Sequence, residues 1–257
     1  MDLATRVWIL SMAHDDPEKQ AALYEKCRRD IVFWFNHFCW TFDPRVDKPD
    51  MPFVLYPFQE FMVREWLKNI DEQRDFGILK SRDVGASWML ILVFQYCWLF
   101  RKGYNFHVGS RKESEVDQAA TDPAETLFGK FRYNLYKQPP WIRGEVSDKK
   151  LHIQNVANGN IITGESSNPW FGRGGRKRAI LFDELSFWPD AEAAWQTCSQ
   201  STNCRIALST PYGESNLYYR LITDPRNEKV EIPAEYLPKR GQEGGDNQSE
   251  GSESCRP

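Results

Sequence analysis

The sequence predicts an α/β domain with a mostly parallel central sheet, and three observations support this class. Short apolar strands alternate with helical segments, which is typical of parallel strands covered by helices on both faces. Three of these strands end in reactive polar groups, in "GILKSRDVGAS", "AILFDE" and "IALSTP". The chain has 257 residues, a length that fits one large domain or one domain with a small appendage.

The N-terminal part of the chain predicts helices. Up to about Pro44 its apolar positions are dense, and no glycine or proline interrupts "EKQAALYEKCRRDIVFWFNHFCW". A proline-rich loop, "DPRVDKPDMP", follows, and "FQEFMVREWLKNIDEQ" has the apolar spacing of an amphipathic helix. We therefore expect residues 1–50 to form a helical segment that packs on the core, and residues 51–238 to form the main domain.

The main domain alternates strands and helices. A strand is predicted at Phe76–Leu79, and "WMLILVFQYCWLF" predicts a buried helix, because a bilayer span needs roughly 20 residues. Helices with breaks follow a strand at Tyr104–Ser110, and Asn158-Gly159 predicts the turn of a hairpin. Further strands are predicted in "RAILFDE" and "CRIALSTP". Residues 239–257 are rich in glycine, serine and glutamate, so we expect a disordered polar tail.

Composition narrows the classes of function. A net charge of −3 and a pI of about 5.9 argue against a general basic bias toward nucleic acid, so such contact requires a local patch. The six cysteines include no C-x-x-C pair, which favours buried, reduced thiols in a cytosolic protein. The N-terminus lacks a basic segment followed by an apolar run, so we expect no signal peptide.

The segment "GILKSRDVGASW" is similar to a phosphate-binding loop with one residue out of place. The P-loop pattern G-x-x-x-x-G-K-[ST] would put glycine at Lys80 and lysine at Ala86. Gly85 and the helix start that follows predict an anion nest, and Ser87 occupies the position of the Mg²⁺-binding hydroxyl. Lys80 and Arg82 are the cations available to a phosphate. An ordinary strand-turn-helix corner is the alternative.

Two further strand ends carry groups suited to hydrolysis. Apolar residues followed by Asp183 and Glu184 have the Walker B form, in which the aspartate holds Mg²⁺ and the glutamate orients or deprotonates water. The turn of Ser209, Thr210 and Pro211 offers hydroxyls that can sense a γ-phosphate. The alternatives are an acidic helix start, which the helix dipole favours, and a plain Ser/Thr-Pro turn.

Two other segments complete the set. In "VLYPFQEF", Gln59 offers a donor and an acceptor to an adenine edge, and Tyr56 or Phe58 offers a ring for stacking. In "WFGRGGRKR", Arg173 and Arg176 lie among glycines, and their planar guanidinium groups suit phosphate. This loop predicts an arginine finger or a contact to the DNA backbone. A helix start with core aromatics and a solvated basic loop are the alternatives.

In this order the segments predict an ATP-hydrolysing domain, and the set resembles the ATPase domain of the large terminase subunit, the DNA-packaging motor of tailed bacteriophages. The combination of an "SR-x-x-G-x-S" loop, "FGRGGR", "LFDE" and "STP" carries the resemblance, with "FWFNHFCWTFDPR" and "PFVLYPFQ" before it. The resemblance covers about residues 30–225. It implies a RecA-like (ASCE) P-loop NTPase fold, in which helices flank the parallel sheet and an N-terminal helical segment is added.

The resemblance implies a role for each of these residues. ATP would be bound by Tyr56, Gln59 and a phosphate loop comprising Lys80, Ser81, Arg82, Asp83, Val84, Gly85, Ala86 and Ser87. Some family members carry the lysine at the start of the loop, which favours Lys80. Mg²⁺ would be held by Ser87 and Asp183, and the catalytic glutamate would be Glu184. The arginine finger would be Arg173, with Arg176 and Arg82 as competitors, and coupling would involve Ser209, Thr210 and Pro211.

The resemblance also implies partners and a location. The expected cofactors are ATP and Mg²⁺, and the expected assembly is a homo-oligomeric ring, with a weakly active monomer. Double-stranded DNA would be gripped through its backbone, and the portal protein and the small terminase subunit would bind the motor. The location would be the cytoplasm of the infected host, and transiently the procapsid. Large terminases usually continue into an RNase H-like nuclease; we expect no nuclease domain and no DNA cleavage by this chain.

Two alternatives stay open. A superfamily 2 helicase shares "YPFQ" and "DE", but it needs a second RecA-like domain that this length does not hold. A nucleotide-binding scaffold that docks on the portal or capsid without turnover is favoured by Ala86, which stands where the P-loop lysine is usual.

Overall fold

A computed structural model describes residues 3–79, 85–119 and 122–231. The predicted polar tail, residues 239–257, lies outside these ranges. The chain begins with helices α1 (Leu3–Met12), α2 (Pro17–Arg29) and α3 (Ile31–Phe38). Asp16 and Asp30 start the second and third helices, because each side chain accepts a backbone N–H from the first turn. The helical prediction is confirmed as far as Phe38. It is wrong for the next residues, which form a strand.

That strand belongs to a small hairpin that precedes the main sheet. Strands β1 (Trp40–Phe42) and β2 (Asp50–Pro52) pair antiparallel. Helix α4 (Pro57–Glu72) follows; its first helical residue is proline, whose fixed φ suits that position. Strand β3 (Phe76–Leu79) and helix α5 (Ala86–Phe100) come next, both as predicted.

The remaining strands and helices follow the predicted order, apart from two strands. Helical segments between the strands are α6 (Glu113–Val116), α7 (Leu127–Lys137), α8 (Pro140–Arg143), a 3-10 helix (Leu185–Phe187), α9 (Ala191–Cys198) and α10 (Leu217–Thr223). The strands are β4 (Phe106–Ser110), β5 (Val146–Lys149), β6 (His152–Asn155), β7 (Ile161–Ser166), β8 (Ala179–Asp183), β9 (Arg205–Ser209) and β10 (Glu228–Glu231). The predictions did not include β5 and β10, whose polar sequences "VSDK" and "EKVE" lack an apolar run.

Eight of these strands form one sheet in the order β10-β3-β9-β8-β4-β7-β6-β5. Every pairing from β10 to β7 is parallel, and β6 pairs antiparallel with both β7 and β5. The predicted β6–β7 hairpin is confirmed, and Gly159 in its turn has φ 77°, a value that glycine adopts without strain. The prediction of a mostly parallel sheet flanked by helices is confirmed.

Helix α5 lies at the centre of the larger apolar core. Each of its residues except Ser87 is buried, so it is apolar on all sides rather than amphipathic. Side chains of α2, α3, α4 and α7 belong to the same core cluster. A smaller core, built around Phe171, Phe182 and Trp188, lies among β8, α9 and α10.

Polar side chains also join the N-terminal helices to this core. Gln95 of α5, Asn134 of α7 and Gln138 are almost fully buried, and we call them the buried amide network. Asn134 donates to the side chain of Gln95, and its Oδ1 accepts the backbone N–H of Trp40 over 2.8 Å. The indole N–H of Trp34 donates to Gln138 over 3.0 Å. Helix α3 is thereby hydrogen-bonded to the C-cap of α7, and strand β1 to α7 itself, which Asn134 in turn links to α5.

Candidate active site

The three strands that carry the predicted polar groups lie side by side. β9 lies between β3 and β8, and all three are parallel. In the register, Leu79 pairs with Ser209, and Asp183 pairs with Leu208. The three strand ends therefore lie together at the carboxyl edge of the sheet, which is where parallel α/β sheets bind ligands.

Ser87 and Asp183 meet at this edge from different elements. Ser87 lies in the first turn of α5, and its hydroxyl donates to Oδ1 of Asp183 over 3.0 Å. Asp183 is only 8% exposed, so its carboxylate is largely withdrawn from bulk water. A hydroxyl and a carboxylate at this distance supply the oxygen donors that Mg²⁺ prefers.

Glu184 has an unusual backbone conformation. Its φ of 55° and ψ of 37° are left-handed, which is uncommon for a residue other than glycine. This turn takes the chain from β8 into the 3-10 helix, and the indole N–H of Trp188 braces it by donating to the carbonyl of Asp183 over 2.9 Å. Such a conformation costs on the order of 1–3 kcal/mol and recurs at functional sites.

The turn after β9 contacts the turn after β8. Ser209 is fully buried, and its hydroxyl lies 3.5 Å from Oε2 of Glu184 and 3.1 Å from the carbonyl oxygen of Thr210. Ser186 donates its backbone N–H to Ser209 Oγ over 3.3 Å and its hydroxyl to the carbonyl of Thr210 over 2.9 Å. Pro211 follows and is exposed. Sequence reasoning missed Ser186. The one sequence signal for it is its position two residues after Glu184, where the chain turns.

A cleft joins the predicted adenine-binding residues to the start of α5. It has a volume of about 630 Å³, and the β1–β2 hairpin and residues 122–125 contribute to its walls, together with Tyr56, Gln59, Gly85 and Trp88. Gln59 Oε1 accepts the backbone N–H of Tyr56 over 3.0 Å, which fixes the amide orientation and makes Nε2 the group that can donate elsewhere. Tyr56 is 66% exposed and stacks on Phe58. Trp88 is a further cleft residue that sequence reasoning missed, although it directly follows the predicted loop.

The start of α5 has the geometry that anion binding requires. Gly85 is left-handed, with φ 70°, and among the described residues no side chain caps the helix. The first N–H groups of a helix have no partner within it, and the helix dipole favours negative charge there. Ala86 is buried, so the position at which the P-loop pattern has lysine lies inside the core.

The glycine-rich loop between β7 and β8 is anchored by its aromatic residue. Phe171 is fully buried and packs against Phe182 and Trp188, with ring centroids 4.9 and 4.8 Å away. At the end of β7, burial would raise the pKa of Glu165, but hydrogen bonds from His107, Asn168 and the Gly172 backbone hold it below its usual value. The loop is thus tied at its start to the same aromatic cluster that supports the Asp183–Glu184 turn.

The two candidate finger residues differ in their place on this loop. Arg173 is exposed, and its guanidinium lies 5.2 Å from the ring of Trp170. Arg176 is also exposed, three residues before β8 begins, and is therefore near the amino edge of the sheet. Because β8 rises roughly 3.3 Å per residue, Arg176 is more than about 13 Å along the strand from Asp183. The structure does not bring Arg173 or Arg176 into contact with the acidic pair.

The remaining predicted loop residues, Lys80, Ser81, Arg82, Asp83 and Val84, lie outside the described residues. Within the described ranges, no group of three or more histidine, cysteine, aspartate or glutamate side chains is arranged to hold a metal ion. This finding leaves the Ser87–Asp183 pair unaffected, because a nucleotide-bound Mg²⁺ takes one or two protein oxygens, phosphate oxygens and water.

Comparison with known proteins places this geometry in a structural class. No family model matches the chain, and no curated protein matches it. Among solved structures, the HK97 bacteriophage large terminase is similar over 74% of this chain and 39% of its own, with a TM-score of 0.53 and 14% identity. The large terminase of a thermophilic bacteriophage, solved in complex with ADP, is similar over 68% and 44%, with a TM-score of 0.50 and 14% identity.

A third solved structure is matched over most of its own length. A point mutant of the large terminase ATPase domain from Thermus phage P74-26 is similar over 70% of this chain and 82% of its own, with a TM-score of 0.53 and 16% identity. At these identities the likeness shows the fold. The chain has the RecA-like α/β fold of phage large terminase ATPase domains, and it spans less than half the length of the first two terminases.

The predicted fold class and the resemblance to large terminases are therefore confirmed at the level of structure. In the described part of the chain, none of the helices has the length and apolar character needed to cross a bilayer.

Proposed function

We propose that this chain is the ATP-hydrolysing motor domain of a viral large terminase, which drives double-stranded DNA into a procapsid. One observation supports the proposal above the others. The Ser87–Asp183 pair and Glu184 lie at the same carboxyl edge as the end of β3, the strand that leads into the predicted phosphate loop, in a fold shared with terminase ATPase domains. The thermophilic-phage terminase, which has this fold, was solved with ADP.

ATP binding would use the cleft and the start of α5 together. The base would lie near Tyr56, whose exposed ring can stack, and near the Nε2 amide of Gln59. The phosphates would then lie toward Gly85 and the first N–H groups of α5. In this proposal the loop from Lys80 to Val84 contributes its backbone, and Lys80 and Arg82 supply the positive charge that Ala86 does not.

The oxygen donors present fit Mg²⁺. Ser87 Oγ and Asp183 Oδ1 lie 3.0 Å apart on neighbouring elements, and they would hold the ion, with Asp183 acting through water. When bound, Mg²⁺ neutralises charge on the β- and γ-phosphates. We propose that hydrolysis requires Mg²⁺ held by these residues. When the ion binds, the Ser87 hydroxyl would no longer donate to Asp183, and the Asp183 carboxylate would accept a hydrogen bond from a water instead.

The chemistry would fall to Glu184. Its carboxylate is half-buried beside Asp183, in a position to orient the attacking water and accept its proton. Hydrolysis gives ADP and phosphate. The left-handed backbone of Glu184 holds its side chain at the end of β8, and Trp188 secures the preceding carbonyl. Preorganised groups of this kind lower the barrier because they need no rearrangement during the reaction.

An arginine from a neighbouring subunit would complete the site. Arg173 and Arg176 are exposed and away from their own acidic pair, which supports action in trans rather than in cis. A finger supplied in trans is worth about 10³–10⁵ in rate, so we expect slow hydrolysis by a monomer and faster turnover in a homo-oligomeric ring. The Ser209–Pro211 turn would transmit the loss of phosphate to DNA held by backbone contacts.

The partners and location of this motor are likewise proposals. Portal protein and the small terminase subunit would bind it, in the cytoplasm of the infected host and transiently on the procapsid. Residues 1–50 would act as a helical segment on the motor, and residues 51–238 as the ATPase domain. We propose no nuclease activity for residues 3–231.

A Glu184→Ala variant tests the proposal against its main competitor, a nucleotide-binding scaffold, which Ala86 favours. We expect the variant to lose at least about 100-fold in phosphate release while keeping its affinity for a non-hydrolysable ATP analogue, because the lost group acts on water and not on ATP. Glu192→Ala, an exposed glutamate on α9, is the matched control. A wild-type protein that binds ATP with Mg²⁺ and releases no phosphate would establish the scaffold instead.

A further inference from the structure

The turns after β8 and β9 are connected by a residue to which no role has been given. Ser186 is 7% exposed and lies in the 3-10 helix directly after Glu184. It uses both of its donors on the other turn: its N–H reaches Ser209 Oγ at 3.3 Å, and its hydroxyl reaches the carbonyl of Thr210 at 2.9 Å. Ser186 therefore bridges the predicted hydrolysis turn and the predicted coupling turn.

The hydrogen bonds of Ser209 show what this bridge does. A serine hydroxyl has one proton, and the Ser209 hydroxyl faces two acceptors, Oε2 of Glu184 at 3.5 Å and the carbonyl of Thr210 at 3.1 Å. The Ser186 hydroxyl already donates to the same carbonyl of Thr210. Because the carbonyl of Thr210 already accepts from Ser186, it is a weaker acceptor for the Ser209 proton. That proton therefore stays available to Glu184.

The backbone of Ser186 acts in the same direction. Its N–H occupies one lone pair of Ser209 Oγ, which restricts the directions in which the hydroxyl proton can point. Ser209 is fully buried, so water does not replace these partners. Two contacts from one residue thus set the orientation of the hydroxyl that faces Glu184.

We propose that Ser186 is a positioning residue that aims the Ser209 hydroxyl at Glu184 and so joins the hydrolysis turn to the Ser209–Pro211 turn. The inference rests on the proposed ATPase function. It adds a physical link by which the position of the Glu184 side chain and the position of the Thr210 backbone depend on each other.

The test compares hydrolysis by four variants of the full chain in the presence of Mg²⁺ and ATP. Ser186→Ala removes the hydroxyl and keeps the N–H, Ser209→Ala removes the aimed hydroxyl, and the double variant closes a cycle. Ser186→Thr keeps a hydroxyl. Ser110→Ala is the matched control, because Ser110 is buried at the end of β4 in the same sheet and donates to Glu115 over 3.0 Å.

We expect Ser186→Ala to lower kcat about tenfold, the effect of roughly one buried hydrogen bond, with KM for ATP within about twofold. Ser209→Ala should give a similar loss, and the double variant should be no slower than the slower single variant, because both changes break one link. Ser186→Thr should recover most of the rate. Ser110→Ala should keep the wild-type kcat.

The possible results distinguish a failure of the Ser186 link from a failure of the ATPase proposal. A Ser186→Ala protein with wild-type kcat, or a double variant with fully multiplied losses, would overturn the link while a Glu184→Ala loss still upheld the ATPase. A wild-type chain that releases no phosphate would overturn both. If threonine prevents folding at this buried position, as read by near-UV circular dichroism, the cycle of serine-to-alanine changes decides.

Discussion

Two buried polar clusters in this molecule are built in different ways. The buried amide network of Gln95, Asn134 and Gln138 pairs its amides with one another, with Trp34 and with backbone groups. The carboxyl-edge cluster contains the adjacent carboxylates Asp183 and Glu184, a left-handed backbone at Glu184 and a Ser209 proton shared by two acceptors. The first cluster consists of paired amides, and the second combines carboxylates with a strained backbone at Glu184.

This difference separates structural polar residues from functional ones on physical grounds. Satisfied amides hold elements in one register, so their loss should cost stability. Side chains at a functional site are retained for activity rather than for stability, so their loss should cost activity and little stability. Substitutions in each cluster, with activity and stability both measured, test this distinction.

The largest effect is expected for Asp183→Asn. Removing the charge should lower kcat by at least about 100-fold, since an amide is a poor substitute for a carboxylate in holding Mg²⁺ and orienting water around it. The free energy of unfolding should stay within about 1 kcal/mol of wild type or rise, because groups at functional sites are commonly placed at a cost in stability. Phosphate release measures kcat, and urea denaturation measures the free energy of unfolding. A loss of more than about 2 kcal/mol with kcat preserved would place Asp183 in the structural class instead.

Asn134→Ala should show the opposite pattern. Its removal leaves the fully buried Gln95 Oε1 and the partly buried N–H of Trp40 without the partners seen here. We expect unfolding to become easier by about 3 kcal/mol, with kcat at a permissive temperature within about twofold of wild type. Asn203→Ala, at an exposed position between α9 and β9, is the control for loss of an asparagine side chain. A large fall in kcat with little change in stability would contradict the comparison.

Sequence reasoning found the fold because the central strands of this sheet have distinct local patterns. The apolar runs of β3, β8 and β9 are bounded by polar residues, and their parallel order follows from the helices between them. It missed β1, β2, β5 and β10, which are short and lack such a pattern, and whose pairing is decided by neighbours outside the segment itself. The helical prediction through Trp40–Phe42 failed for the same reason.

The sequence predicted part of the candidate site, because position at the end of a strand is also a local pattern. Strand-end position was enough to select Ser87, Asp183 and Ser209, which the structure brings to one edge. Ser186 and Trp188 were not selected, because their contacts to Thr210 and to the carbonyl of Asp183 depend on how the chain turns at Glu184. A left-handed backbone at a glutamate has no local sequence signal, since intrinsic preference disfavours it.

We expect the two regions to open at different frequencies. The labelling rates of a cysteine in each region measure this difference. Cys39 lies 3.8 Å from Asn134 in the amide network, and Cys198 contacts the carbonyl of Phe171 under the glycine-rich loop. Burial raises the pKa of Cys198 to about 12 and that of Cys39 well above its usual range. Both thiols should therefore react with an alkylating reagent at pH 8 only when the structure opens.

We expect Cys198 to be labelled about tenfold faster than Cys39, because loops and site elements come from the less stable end of a structure. Mass spectrometry of peptides separates the two in the wild-type chain. The buried thiols also stabilise the fold at neutral pH, and this contribution is lost as pH rises above about 8.5, where the unfolded chain ionises and the folded one does not. Both labelling rates should therefore climb faster with pH there than the reactivity of a model thiol. Equal rates at the two cysteines would mean that both clusters open in one global event, and the distinction between a rigid network and a pliable site would then rest on activity alone.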